Sequence, residues 1–259
     1  MSLLPHERYC DEIVLRTEAL RAAVRGADLD ATVPTCPEWT LRDLAVHVGG
    51  AHRWAAEIVR TRATEAVPEE KVPHFTPDGD DPAVLDAWLA EGATLTAGAL
   101  REAGPGLKVW SWFRDNSTGF WARRMAIETV VHQADAALTA KVPYAMAADL
   151  AADTIDEWLE IVAFAQAAGD DREAAELRGA GRSIHLHATD TPGAEWLIEF
   201  GEDGFTWRRA HEKATVALRG PLTDLMLVFN RRLAPDSDRV EVLGDAALLD
   251  FWLARSSFG

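Results

Sequence analysis

Along the first two thirds of the chain, apolar residues recur every three to four positions, the spacing of one buried helix face. Residues 5–26, PHERYCDEIVLRTEALRAAVRG, open with Pro5 and close on Gly26, the residues that helix termini prefer. In TVPTCPEWTLRDLAVHVGGAHRWAAEIVRTR, Pro34 and Pro37 predict a loop, and Thr40 with Asp43 three residues on predicts a shortened capping box. Leu41, Leu44, Ala45 and Val48 then keep helical spacing. Asp81-Pro82 starts a third helix running to about Ala103, GPGLKVWSWFRDNSTG is a loop, and a fourth helix runs from about Thr118 to Lys141. Four helices of this length, joined by loops, predict a bundle, with a further helix over about 147–168.

The period then changes. After the polar, glycine-rich GDDREAAELRGAGR, the segments RSIHLHATD and EWLIEF alternate with period two, and GEDG reads as a hairpin turn before FTWRRA. KATVALRG and DRVEVLG predict further strands, and PLTDLMLVFNRR and DAALLDFWLARSS predict helices. The expected fold class is therefore α+β in two domains, a helical one over 1–170 and a small α+β one over 171–259.

Hydrophobic residues make up 48% and charged residues 26% of the chain, the composition of a folded globular protein rather than a disordered one. No apolar run is long enough to span a bilayer, and the N-terminus lacks the basic and apolar regions of a signal peptide, so a cytoplasmic protein with no membrane partner is expected. A net charge of −16 without a basic cluster argues against nucleic acid as a partner. Two cysteines, Cys10 and Cys36, are too few for a disulfide framework or a thiolate metal site.

The chemistry concentrates in RRMAIETVVHQADA, residues 123–136. At 100° per residue, Glu128 and His132 lie about 40° apart on one helix face, Asp135 about 20° from Glu128, and Arg124 one turn before it. The four form a stripe roughly 16 Å long. Either this is a solvated face, or it points inward and Glu128 and His132 converge on a divalent metal, zinc above all. His47, in mid-helix, would supply a third ligand; the adjacent Gly49-Gly50 predict a close approach by a neighbour or a ligand. Two histidines and a carboxylate leave a coordination position open. His185 and His187 share one face of a predicted strand and could also ligate a metal. The apolar Ile184, Leu186 and Ala188 point the other way, so the expectation is that the two histidines face solvent. His6, His52, His74 and His211 have no partner that the sequence names. Among ten tryptophans, Trp39, Trp54 and Trp121 are candidates to line a cavity.

VPTCPEWTLRDLAVHVGGAHRWA and RRMAIETVVHQADA together resemble the mycothiol-dependent maleylpyruvate isomerase family of actinobacteria. The stretches HLHATDTPGAEW, VALRGPLTDLMLVFNRR and VEVLGDAALLDFW resemble that family's C-terminal domain, so the likeness spans nearly the whole chain. It implies a DinB-like four-helix bundle followed by a sterol-carrier-like α+β domain. It places the metal ligands on His47, Glu128 and His132 and a catalytic acid on Asp135. A second catalytic residue falls on Arg232, with Arg231 as the alternative register, and Asn230 stands where the family often has an aromatic. Arg124 and Arg231 are candidates for binding the cofactor. The implied chemistry is a metal-activated thiolate of mycothiol attacking an electrophilic small molecule, by isomerisation or S-transfer, in a monomer or homodimer. The rivals are a thiol-independent metal hydrolase and a non-catalytic metal- or ligand-binding protein.

Overall fold

A computed structural model describes residues 3–169 and 173–256. They fall into two compact units that part between Tyr144 and Ala145.

The N-terminal unit is the expected bundle. It contains α1 (His6–Val24), the strands β1 (Thr32–Val33) and β2 (Cys36–Thr40), then α2 (Leu41–Thr61), α3 (Pro82–Ala103) and α4 (Thr118–Ala140). Local chemistry sets the helix starts. Thr40 accepts from the Asp43 amide while the Asp43 side chain takes the Thr40 amide, a complete capping box. Asp81 accepts from the Ala83 amide with Pro82 in the first turn, and Ser117 accepts from the Phe120 amide. α1 packs on α3 and α4, and α2 packs on α3 and α4, around Ile13, Leu20, Leu44, Ile58, Leu89, Leu100 and Trp121, all fully buried.

One detail departs from the sequence reading and another completes it. The proline-containing loop before α2 is a short antiparallel hairpin that pairs Val33 with Cys36 and Thr32 with Thr40, with Pro34 and Thr35 at its turn. Propensity hides a ribbon this short, because its pairing stands on tertiary contacts. The Gly49-Gly50 pair does mark a close approach, and the neighbours are side chains of the bundle. A Cβ on Gly49 would lie 2.0 Å from the Trp88 ring, and one on Gly50 3.2 Å from Phe75. Arg53, also buried, sits 4.2 Å from the centroid of the same Trp88 ring and donates to the Trp88 carbonyl at 2.8 Å.

The C-terminal unit holds α5 (Ala148–Ala168) and then β3 (Ser183–Ala188), β4 (Glu195–Phe200), β5 (Phe205–Arg208), β6 (Val216–Gly220), α6 (Leu222–Phe229), β7 (Glu241–Gly244) and α7 (Ala246–Arg255). The sheet order is β5-β4-β3-β6-β7, with β3 and β6 parallel and the other pairs antiparallel. Ile184, Leu186, Trp196, Ile198, Val216 and Leu218 share the face that the helices cover. Trp196 donates to Asp156 of α5 at 2.6 Å, and Phe229 of α6 stacks on Trp252 of α7 at 5.2 Å. The division expected at 170/171 falls outside the described residues. α5, expected in the helical domain, instead packs on α6 and β5 and belongs to the C-terminal unit. Its own amphipathic pattern says that one side is buried but not against what. Among the described residues, no helix is long and apolar enough to cross a membrane.

Because the Trp88 ring occupies the space a Cβ would need, Gly49→Ala should destabilise the protein by about 1–3 kcal/mol in denaturant melts, despite a gain of about 1 kcal/mol in helix propensity. A stabilised Gly49→Ala protein would contradict this packing.

Candidate metal centre

The stripe on α4 points into the bundle. Asp135 is fully buried and Arg124 and His132 are nearly so, which rejects the solvated-face reading for them. α2 crosses α4 and brings His47 to the same place. Glu128 Oε1 lies 2.9 Å from His47 Nε2 and 3.1 Å from His132 Nε2, and Glu128 Oε2 accepts from Arg124 Nη2 at 2.9 Å. The two imidazoles meet edge to face, with centroids 4.9 Å apart at 79°. One donor atom from each of His47, Glu128 and His132 lies within 4.8 Å of the others, a set of two imidazole nitrogens and one carboxylate oxygen that fits a divalent transition metal. His47 keeps 37% and Glu128 23% of its side chain exposed against 9% for His132, so the centre can be reached from solvent.

Around this trio lies a second layer. His132 Nδ1 donates to Asp135 Oδ2 at 2.8 Å, which turns Nε2 toward Glu128 as the nitrogen that could hold a metal, and Thr35 donates to Asp135 Oδ1 at 2.5 Å. Trp39 faces both histidines, 4.7 Å from the His47 ring and 6.0 Å from that of His132. The β1–β2 hairpin thus contributes two members of the site. Burial alone would raise the Glu128 pKa, but His132 and Arg124 beside it hold it well below the usual carboxylate range. Burial lowers the His132 pKa, yet the Glu128 and Asp135 carboxylates outweigh it and push the imidazole up to about 9.

Arg124 therefore neutralises and orients Glu128. Arg231 and Arg232 lie at the end of α6 in the C-terminal unit. Arg231 is exposed in a left-handed conformation (φ 64°), and Arg232 Nη1 donates to the Asn230 carbonyl at 2.8 Å. Of the three candidate tryptophans, only Trp39 reaches the centre; Trp54 and Trp121 pack edge to face at 5.3 Å in the bundle core. Thr35 was not legible as a site residue, because nothing local distinguishes it from any turn threonine. Cys36 and Cys10 form no disulfide, and burial raises the Cys10 pKa to about 11.

One model, described as the mycothiol maleylpyruvate isomerase N-terminal domain, matches residues 10–137, and its companion C-terminal domain model matches residues 149–251. The chain belongs to the mycothiol maleylpyruvate isomerase family. The family's two models meet on either side of Tyr144–Ala145, where the compact units part. A crystal structure of the mycothiol-dependent maleylpyruvate isomerase superposes with a TM-score of 0.62 at 16% identity, covering 93% of this chain and 95% of that one. A histidine-to-alanine mutant of that enzyme gives 0.59 at 15% identity with the same coverage. At these identities the likeness is one of fold. No functionally curated protein matches the chain.

Beside the centre, fully buried His52 on α2 donates from Nε2 to the Thr129 hydroxyl at 2.8 Å, and that hydroxyl donates on to the Met125 carbonyl. Burial, then the charge of Arg53, lowers the His52 pKa to about 4. Between about pH 4 and 6.5 the unfolded chain binds a proton at this position and the folded chain does not, so stability falls as the pH is lowered through that window. Thermal melts of wild type and His52→Gln should show a shallower acid loss in the variant, by about 3 kcal/mol across the window. Parallel curves would sink the assignment of a neutral, buried His52.

Proposed function

We propose that the protein is a metal-dependent enzyme that uses mycothiol, in which a thiolate attacks an electrophilic small molecule. The observation that carries this reading is the convergence of His47, Glu128 and His132 at a solvent-reachable point, with Asp135 fixed on the far nitrogen of His132. His47, Glu128 and His132 would hold a divalent transition ion of the zinc class, which would supply a Lewis acid able to lower the pKa of a thiol toward neutrality.

The remaining work falls to the chain. Arg124 keeps Glu128 ionised and aimed, so the carboxylate presents Oε1 rather than swinging away. Asp135 locks the His132 tautomer, and its own orientation is held by Thr35. Asp135 thus acts through His132, making its far nitrogen a better metal donor. Trp39 walls one side of the two imidazoles and limits water there. When the thiolate adds to the electrophilic carbon, a C–S bond forms and the π pair shifts onto the adjacent acceptor. Return of that pair after rotation expels the thiolate and gives an isomer, whereas protonation of the adduct at carbon by solvent, with sulfur retained, gives an S-conjugate.

The test uses metal-reconstituted protein, mycothiol and a panel of cis-unsaturated keto acids and other Michael acceptors, with products resolved by mass spectrometry. Isomer or conjugate should form only with thiol present. His47→Ala and Glu128→Ala should abolish turnover together with metal binding at this centre. Asp135→Asn should lower kcat or metal affinity by about 10–100-fold. Undiminished turnover without any thiol would replace this reading with metal-assisted hydrolysis.

A further inference from the structure

The C-terminal sheet carries a second convergence of ligand-type side chains that the proposed function does not use. His185 and His187 sit two apart on β3, so both imidazoles leave the strand on the side opposite α5, α6 and α7. The expectation that they simply face solvent is not met, since His185 is buried at 7% exposure. Glu195 opens β4 directly across from His187 in the antiparallel register. His211, which the sequence left without a partner, arrives from the segment between β5 and β6.

All three histidines meet one carboxylate oxygen. Glu195 Oε2 lies 2.9 Å from His185 Nε2, 3.0 Å from His187 Nδ1 and 2.6 Å from His211 Nδ1. The rings stand around it almost symmetrically, with centroid separations of 5.6, 5.6 and 5.4 Å. One donor atom from each of the four residues lies within 4.8 Å of every other.

Hydrogen bonding alone is a poor account of this arrangement. A single carboxylate oxygen offers two lone-pair directions, and three ring nitrogens are aimed at it. A cation at the same focus would take one lone pair from each nitrogen and one from the carboxylate. Tetrahedral bonds of 2.0–2.1 Å place ligand atoms about 3.3 Å apart, so the three nitrogen–oxygen separations need open by less than about 1 Å.

We propose that His185 Nε2, His187 Nδ1, His211 Nδ1 and Glu195 form a second metal site, for a divalent transition ion of the zinc class. Imidazole-rich donors select Zn, Ni or Cu over Mg or Ca. With four protein ligands the site is closed, which makes it structural rather than catalytic. Its occupant would clamp the segment carrying His211 onto β3 and β4. The ion would enter past His211, whose side chain is 74% exposed, while His185 forms the floor at 8%.

The test is metal stoichiometry on the full chain without an affinity tag, stripped by chelator and titrated with Zn2+ or Co2+ at micromolar free ion. His47→Ala/Glu128→Ala removes the bundle centre, and His187→Gln/His211→Gln removes the sheet site while leaving buried His185 in place. The expectation is that His47→Ala/Glu128→Ala retains one equivalent, that this ion raises its melting temperature, and that adding His187→Gln/His211→Gln abolishes both effects. The single variant His211→Gln, at an exposed position, should change the Co2+ absorption spectrum even if the double variant folds poorly. If His47→Ala/Glu128→Ala binds no metal, or if metal uptake is indifferent to His187→Gln/His211→Gln, the sheet site does not exist. If wild type takes up one equivalent that only the sheet variants remove, the sheet site stands and the bundle centre fails.

Discussion

The carboxylate of Glu128 is the pivot of the N-terminal unit. One of its oxygens is shared by imidazoles from two helices, and the other is held by Arg124 one turn earlier on its own helix. Taking such a carboxylate and a guanidinium out of water is costly unless each finds partners of good geometry, and removing one partner would strand the other. The crossing of α2 and α4 therefore has to be exact enough for His47 to arrive within hydrogen-bond reach. The chemistry of the centre and the packing of the bundle are one problem.

That accuracy is supplied by close packing together with a few buried polar contacts. Gly49 and Gly50 let α2 lie against Trp88 and Phe75, and Arg53 is sandwiched beneath the same indole with its charge shared among carbonyls and Glu91. Two residues before Gly49, His47 inherits its position from this close packing. Further along α2, His52 reaches Thr129, the neighbour of Glu128, so two histidines five residues apart fasten α2 to consecutive residues of α4. One contact is polar and half-open, the other neutral and sealed, and the difference in burial gives the same residue type two different tasks.

Much of this was legible in the sequence. The capping box at Thr40-Asp43, the Asp81-Pro82 start of α3 and the period-two strands are local signals, and the structure places them where the patterns do. The stripe on α4 was visible as angles, but its inward direction was not, since a helical wheel has no outside. Gly49-Gly50 announced a close approach while leaving its partner unnamed. Thr35 and the convergence of His211 on Glu195 lay beyond reach, because both join residues far apart in the chain through turns with no periodic signature. The family resemblance named candidate ligands in the bundle, whereas the sheet cluster joins residues that only the fold brings together. α5 went to the wrong neighbour on the same grounds, since burial periodicity identifies a face without its counterpart.

The β1–β2 hairpin has a further consequence. A two-stranded ribbon is barely stable by itself in water, so this one owes its order to what its turn and its last residues touch. It touches Asp135 through Thr35, and the two imidazoles through Trp39. The wall of the centre is thus a ribbon outside the four helices, pinned to them by Val33, which is fully buried in the same core cluster as Leu20, Leu41 and Leu44. A change at Trp39 would reshape the opening beside His47 and His132 while leaving the crossing of α2 and α4 in place, whereas a change at Thr35 would loosen Asp135 and, through it, His132.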